Sequence, residues 1–253
     1  MNTLYINRIE RIERLQGISE QASYYLALPA MRALDKGLAL HSPVTILAGE
    51  NGTGKSTLLE AIAVNYGFNP EGGTRNFNFT SVQTHSGLYR DIRLIKGIKR
   101  PLDGFFLRAE SFYNVATELD RLDEAYPDDL KLNRYYGGKS LHHQSHGESF
   151  LALMLNRFSG QGLYLLDEPE AALSPSRQLT LLAQMHHLLE QGSQFIIATH
   201  SPILMGYPGA EIFWLDEEGI RPVDYKETEH YILTRKFLND PQSLLRYLWD
   251  EKG

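Results

Sequence analysis

The chain contains no cysteine. That absence removes disulfide scaffolds, zinc ribbons, iron–sulfur clusters and thiol catalysis together, and it fits a reducing compartment. Long apolar runs are missing too. The most apolar stretches, GLYLLDEP at 162–169 and SQFIIATHSP at 193–202, are short and end in polar motifs. A membrane-spanning helix needs roughly 20 apolar residues. The opening MNTLYINRIERIERL alternates apolar and charged residues and lacks a signal-peptide core. The expectation is a cytoplasmic protein with no integral membrane segment. Excess positive charge is also lacking: 25 Lys and Arg stand against 31 Asp and Glu, a net charge of −6. This excludes a general basic coat for wrapping nucleic acid, while a local basic patch stays open. No internal repeat, heptad run or low-complexity segment is present.

What is present is an ordinary globular composition, with 42% hydrophobic residues over 253 positions, enough for a sizeable core. Leu4, Ile6, Ile9 and Ile12 alternate with polar residues as in a half-buried strand with a bulge or bend. Tyr24–Leu28 reads as a second strand. Val44–Ala48 is a short apolar run of the kind buried in a parallel sheet. Thr57–Tyr66 reads as a helix ended by Gly67, and Asn69–Gly73 as a turn. Phe77–Glu110 has a strand-like pattern broken at Gly87, Gly97, Pro101 and Gly104, which predicts a separate antiparallel section. Ser111–Leu122 reads as a helix and Pro127–Lys139 as a loop.

Further on, Ser149–Phe158 reads as a helix, and Leu163–Leu166 and Phe195–Ala198 as buried strands. Between them Ser174-Pro175 opens a helix expected to bury Leu179, Leu182, Met185 and Leu189. Glu211–Asp224 reads as a hairpin around Glu217-Glu218-Gly219. Two helices follow, capped by Thr228 and by Asp240-Pro241. Short buried strands alternating with helices predict an α/β fold with a mostly parallel sheet.

The chemistry concentrates in three places. Gly49-Glu50-Asn51-Gly52-Thr53-Gly54-Lys55-Ser56, followed by Thr57, fits G-x-x-x-x-G-K-[ST] between a strand and a helix. Glycines let successive N–H groups face a triphosphate, Lys55 reaches the β- and γ-phosphates, and the Ser56 hydroxyl suits Mg²⁺. The apolar strand 163–166 runs into Asp167-Glu168. Asp167 at its carboxyl end suits Mg²⁺, and Glu168 suits the role of general base toward water. His200 follows the next buried strand and emerges at the same sheet edge, where a neutral imidazole can bond a γ-phosphate.

Gln144-Ser145-His146-Gly147-Glu148 has two compatible readings. One is a capping box in which Ser145 caps and Glu148 reaches back. The other is a helix N-terminus that offers the Ser145 hydroxyl and the close approach of Gly147 to a second phosphate. His142, His143 and His146 read as an exposed loop rather than a metal cluster. Arg90, Arg93, Lys96, Lys99 and Arg100 read as a solvated strand or loop face, with a nucleic-acid backbone as the other reading. Nothing selects an adenine-stacking residue among Tyr24, Tyr25, Tyr135 and Tyr136.

In their order along the chain these motifs resemble the ABC-type ATPase superfamily. Gln144-Ser145-His146-Gly147-Glu148 is similar to its L-S-G-G-Q signature, Asp167–Ser174 to its D-E-P-x-x-A-L-D segment, and His200 to its switch histidine. G-E-N-G-T-G-K-S-T, F-F-L-R-A-E-S-F and D-E-P-E-A-A-L-S-P resemble the small soluble bacterial "AAA family ATPases" related to the SMC and DNA-repair branch. The resemblance implies a P-loop fold of ABC-ATPase type: a mixed, largely parallel core, an antiparallel section and a helical signature lobe. It implies one domain over 1–253, divided at about 110 and about 160 into phosphate-loop, helical and acidic-strand parts. It implies ATP and Mg²⁺ as ligands. It also implies a head-to-tail homodimer in which Ser145 and Gly147 of one chain touch the γ-phosphate held by Lys55 of the other. His146, Glu148 and Ser174 depart from the family's pattern. Where the family has a metal- and water-contacting glutamine, Arg108 or Glu110 stands, and the sequence does not choose between them.

Three functions follow as alternatives. The first is a soluble ATP-gated dimer acting on a protein or nucleic-acid partner, and the second the nucleotide-binding subunit of a membrane transporter. The third, another P-loop class, lacks support, since the guanine-reading Asn-Lys-x-Asp is absent. A chromosome-type SMC is excluded because the stretch from Thr57 to Ser145 is short and Gly/Pro-punctuated.

Overall fold

A computed structural model of the chain describes residues 4–12, 28, 29, 31, 34–74, 86–110, 112, 116, 117, 121 and 146–250. The structural statements that follow concern these residues. The strand expected at Tyr24–Leu28 (apart from Leu28), the loop 127–139, Ser145, His142, His143 and most of the helix expected at 111–122 lie outside them.

Two sheets organise the molecule. The larger has the order β5-β6-β7-β3-β8-β9. Its members are β3 (Val44–Gly49), β5 (Asp103–Arg108), β6 (Gly162–Asp167), β7 (Gln194–Ala198), β8 (Glu211–Asp216) and β9 (Gly219–Val223). All neighbours pair in parallel except β8 and β9, the hairpin read from the sequence. β3, β6 and β7 are buried at every position. Their uninterrupted apolar runs follow from that, since helices and a second sheet cover both faces. The smaller sheet is antiparallel, β2-β1-β4, with β1 (Ile6–Arg11), β2 (Leu38–Ala39) and β4 (Ile92–Lys96). The expected irregularity in β1 is a register shift between Ile6 and Arg8.

One buried amide bridges the sheets. Gln194, buried at the start of β7, accepts from the N–H groups of Tyr5 (2.8 Å) and Ile6 (3.0 Å) and donates to the Ile6 carbonyl (3.0 Å). It thus satisfies backbone groups that burial would otherwise strand.

Helix α1 (Lys55–Tyr66) packs between the sheets, in one core with Ile6, Ile9, Leu47, Leu165 and Ile196. It ends at Gly67 (φ 108°), whose N–H bonds Ala63 and Val64. The opposite face of the large sheet is covered by α2 (His146–Arg157), α3 (Pro175–Glu190) and α4 (Pro202–Met205), through Phe150, Leu153, Met185 and Leu204 among others. Helices α5 (Glu229–Asn239) and α6 (Pro241–Asp250) close the chain, α5 capped by the Thr228 hydroxyl as expected. No helix among the described residues is long and apolar enough to cross a membrane.

Two expectations are corrected. The antiparallel section does not extend to 110: residues 103–108 form β5, paired in parallel with β6 at the edge of the large sheet. Gly104 lies inside that strand rather than breaking it. A Cβ there would come within 2.8 Å of the Phe68 ring and 3.0 Å of the Leu163 carbonyl, so the glycine marks a close approach. The second correction concerns α3, whose buried side is Gln178, Leu181, Met185 and Leu188, while Leu179 is 59% exposed. Gln178 sets this rotation, donating to the Leu173 carbonyl and accepting from the Ser201 hydroxyl. A periodic count of leucines could not see a buried amide leading the face.

Candidate functional site

The loop between β3 and α1 is shaped by glycines in conformations that residues with a Cβ rarely adopt. Gly49 has φ 138°, and a Cβ on it would lie 2.0 Å from the Leu215 carbonyl oxygen. Gly52 (φ 80°) and Gly54 (φ 96°) take the left-handed region. The Thr53 hydroxyl donates to the Glu50 carbonyl at 2.9 Å and braces the curl. Lys55 is 4% exposed. Its ammonium folds back over the loop, donating to the carbonyls of Gly49 (3.0 Å) and Glu50 (2.5 Å). Burial pushes its pKa down, while the carboxylates of Glu168, Asp167, Glu170 and Glu50 oppose that. Asn51, Gly52, Gly54, Lys55, Ser56 and Thr57 line a polar hollow closed by Leu28 and Glu168.

Asp167 ends β6 in the neighbouring part of the sheet. It is 5% exposed, and its Oδ1 has no hydrogen-bond partner. Burial pushes its pKa up to about 6, against the opposing Ser56 hydroxyl and Arg108 guanidinium. An under-bonded carboxylate beside a hydroxyl is an oxygen donor pair of the kind Mg²⁺ takes alongside water and phosphate oxygens, so these two residues fit that ion.

The β5–β6 register sets Arg108 opposite Asp167. Arg108 Nε lies 3.4 Å from Asp167 Oδ2, and Nη1 is 2.7 Å from Glu60 Oε2 on α1. Glu60 accepts in turn from the Ser86 N–H. Glu110 is 84% exposed and 3.6 Å from Arg108. Of the two candidates left open by the sequence, Arg108 is therefore the one whose side chain enters the site.

Glu168 adopts a left-handed conformation (φ 49°, ψ 50°), an arrangement costing on the order of 1 kcal/mol for a residue with a Cβ. Its N–H is fixed to the Ala198 carbonyl at 2.9 Å, so the sheet holds the turn. The side chain stands 40% exposed, with Oε1 3.7 Å from His200 Nε2. His200 follows β7, and its N–H donates to Glu170 Oε1 at 2.5 Å. Burial raises the pKa of Glu170. Burial first, then Lys55 and His230, push His200 down to about 4, so its imidazole is neutral at pH 7. Its Nδ1 is 3.1 Å from Nε2 of His230 on α5.

Sequence reasoning gave no role to Glu170 or His230. Glu170 lay within the quoted acidic segment. His230 had no local signal, because its partner is 30 positions away.

Gly147 sits in the first turn of α2 and is buried against its own chain. A Cβ there would lie 2.4 Å from Arg177 Nη1 and 2.7 Å from the Ala172 carbonyl. Glu148, expected to reach back as a cap, has its carboxylate 3.3 Å from Arg177. In the basic run, Arg93 pairs with Glu10 at 2.6 Å and Lys96 lies 4.4 Å over the Tyr66 ring. Among the described residues no cluster of three or more His, Cys, Asp or Glu side chains could hold a metal ion.

Residues 114–206 match the family model "AAA domain, putative AbiEii toxin, Type IV TA system", and residues 33–101 match a second one, "AAA domain". No curated protein matches the chain. Among solved structures, "An inward-facing conformation of a putative metal-chelate type ABC transporter" is similar at 17% identity and a TM-score of 0.50, covering 92% of this chain and 88% of that one. The "SMC head domain from Thermotoga maritima" is 18% identical, with 74% and 93% covered and a TM-score of 0.39. "Structure of cbiO1 from clostridium perfringens", part of the cbiONQ ABC transporter complex, is 18% identical, with 98% and 99% covered and a TM-score of 0.46. The two AAA-domain matches, of which 114–206 includes the acidic strand β6, and the likeness in fold to an ABC transporter structure support a P-loop ATPase of the AAA/ABC type.

Proposed function

We propose that this chain binds Mg-ATP at the loop 49–56, hydrolyses it, and uses the cycle to close and open a head-to-tail homodimer. The reading rests on one observation. Lys55, Asp167, Glu168 and His200 all stand at or after the carboxyl ends of β3, β6 and β7, three adjacent parallel strands. Ligands of open α/β sheets gather at that edge.

In this reading Lys55 exchanges its own-loop carbonyls for β- and γ-phosphate oxygens. The N–H groups of the loop and of the first turn of α1 face the same anion. Ser56 and Asp167 would hold Mg²⁺, whose contribution when bound would be to offset negative charge on the phosphates. Glu168 takes the proton of the attacking water as its oxygen bonds the γ-phosphorus and the bond to the β-phosphate oxygen breaks, giving ADP and phosphate. Neutral His200 donates to a γ-phosphate oxygen and reports its departure.

The second half of each site comes from Ser145 and Gly147 of the other protomer, as the family resemblance implies. The load driven by the dimer is a soluble partner, protein or nucleic acid, in the cytoplasm. Residues 1–253 act as one ATPase domain.

Phosphate release from Mg-ATP tests the catalytic half. Glu168→Gln should keep nucleotide binding and slow release by about 10²- to 10⁴-fold, the usual worth of a positioned general base. Release at the unaltered rate by Glu168→Gln would overturn the assignment.

A further inference from the structure

The contact between His200 and His230 decides which nitrogen of His200 carries its proton. A neutral imidazole has one N–H and one acceptor nitrogen. Burial first, and the Lys55 ammonium, lower the pKa of both rings from the ordinary histidine value, with Glu229 opposing at His230, so above pH 7 each ring carries one N–H and the pair shares one hydrogen bond, 3.1 Å long. Two arrangements satisfy it.

In the first, His200 donates from Nδ1. Its Nε2 is then a bare lone pair, 3.7 Å from the Glu168 carboxylate and beside the place where phosphate oxygens arrive, so that acceptors face acceptors. In the second, His230 donates from Nε2 to His200 Nδ1. The proton of His200 then sits on Nε2, turned toward Glu168 and the phosphate loop. His200 Nε2 and His230 Nδ1 are both buried without a hydrogen-bond partner, and the carboxylate of Glu168, 3.7 Å from His200 Nε2, favours the proton on that nitrogen.

His230 is well placed to impose this choice. It lies in the first turn of α5, just after Thr228, which is 1% exposed and caps the helix by accepting from the Tyr231 N–H. Its ring stands edge-on to Trp214 of β8 at 5.4 Å. Backbone cap and aromatic contact together fix where its Nε2 points.

We propose that His230 is a positioning residue, whose Nε2–H donates to His200 Nδ1 and holds His200 as the Nε2–H tautomer, aimed at an incoming phosphate oxygen. The identity of that acceptor rests on the ATPase reading above, whereas the tautomer does not. The hydrogen bond from His230 does for His200 what an outer-shell partner does for a ligating histidine, fixing both ring orientation and tautomer.

Long-range ¹H–¹⁵N correlation spectra of ligand-free, ¹⁵N-histidine-labelled protein at pH 7.5 read the tautomer directly, with His200 assigned by its loss in His200→Ala. The expected result is His200 protonated on Nε2. His230→Leu, which removes the donor, should convert His200 to a mixture or to the Nδ1–H form. His230→Gln, whose amide nitrogen occupies nearly the position of Nε2, should restore the original pattern. In ATP turnover, His230→Leu should lower kcat by about 10-fold, at the low end for such outer-shell partners, with KM little changed and His230→Gln recovering most of it. A wild-type His200 protonated on Nδ1, or a tautomer unmoved by His230→Leu, would overturn the proposal. The expected tautomers with turnover indifferent to His200→Ala would overturn the use of the hydrogen bond in hydrolysis, and with it the role given to His200, while leaving the pairing in place.

Discussion

The Arg108 guanidinium lies 3.4 Å from the Asp167 carboxylate, at matching positions of adjacent parallel strands. A fixed cation therefore stands beside the acid assigned to Mg²⁺, where the family resemblance leads one to expect a glutamine. Arg108 also reaches Glu60 at 2.7 Å, so one side chain ties β5 to β6 and to α1.

The first prediction concerns stability against pH. Asp167 titrates at about 6 in the fold against 3.8 for an ordinary aspartate, chiefly through burial. Between those values the folded chain holds the extra proton. Stability therefore falls as pH rises from about 4 to about 6 and stays lower above, by roughly 3 kcal/mol in all. Asp167→Asn cannot ionise. Urea unfolding of the ligand-free proteins should show it to be more stable than wild type at pH 7.5 and nearly equal at pH 4. A less stable Asp167→Asn at pH 7.5 would mean that its charge is already compensated without metal.

Arg108→Gln restores the residue type expected from the family but removes the cation. Glu60 and Asp167, both buried, then lose their common partner, a change on the order of 3 kcal/mol. The urea midpoint at pH 7.5 should drop accordingly. An unchanged midpoint would show that neither acid depends on Arg108.

Gly147→Ala distinguishes two reasons for a glycine at the start of α2. The added methyl collides with the Ala172 carbonyl and the Arg177 side chain of the same protomer. A loss of about 1–3 kcal/mol is expected even without nucleotide. If Gly147 served a partner's phosphate alone, thermal unfolding of the ligand-free variant would match wild type.

The parallel core was legible in the sequence because its signals are local. Val44–Gly49, Gly162–Asp167 and Gln194–Ala198 are apolar runs ending in polar motifs, and a strand buried on both faces can look like little else. The glycine-shaped turn between β3 and α1 was legible for the same reason, since Gly49, Gly52 and Gly54 each answer a backbone demand within eight residues. What stayed hidden depends on contacts distant in sequence. β5 read as part of the antiparallel section because its pairing with β6 bridges residues far apart in the chain. The buried face of α3 was read correctly at Met185 but one position late elsewhere, because Gln178, a polar residue, leads it. His230 was invisible because only the fold brings α5 against His200.

Lys55 carries the anion-binding half of the account. Its ammonium is already buried and directed into the loop, so Lys55→Ala removes a charged donor without opening the core. Titration calorimetry with a non-hydrolysable ATP analogue should show affinity weakened by roughly 10- to 100-fold, the worth of a charged hydrogen bond. Equal affinity would place the phosphates elsewhere.

The central claim, a nucleotide-driven dimer, is tested most directly by the solution mass of the Glu168→Gln protein. Light scattering would be recorded with Mg-ATP and then with Mg-ADP. The substitution keeps the shape of the site and removes the base, so a closed dimer accumulates. The account predicts a monomer with ADP, a dimer with ATP, and loss of that dimer on adding Ser145→Arg. A monomer under both nucleotides, with ATP bound, would contradict it.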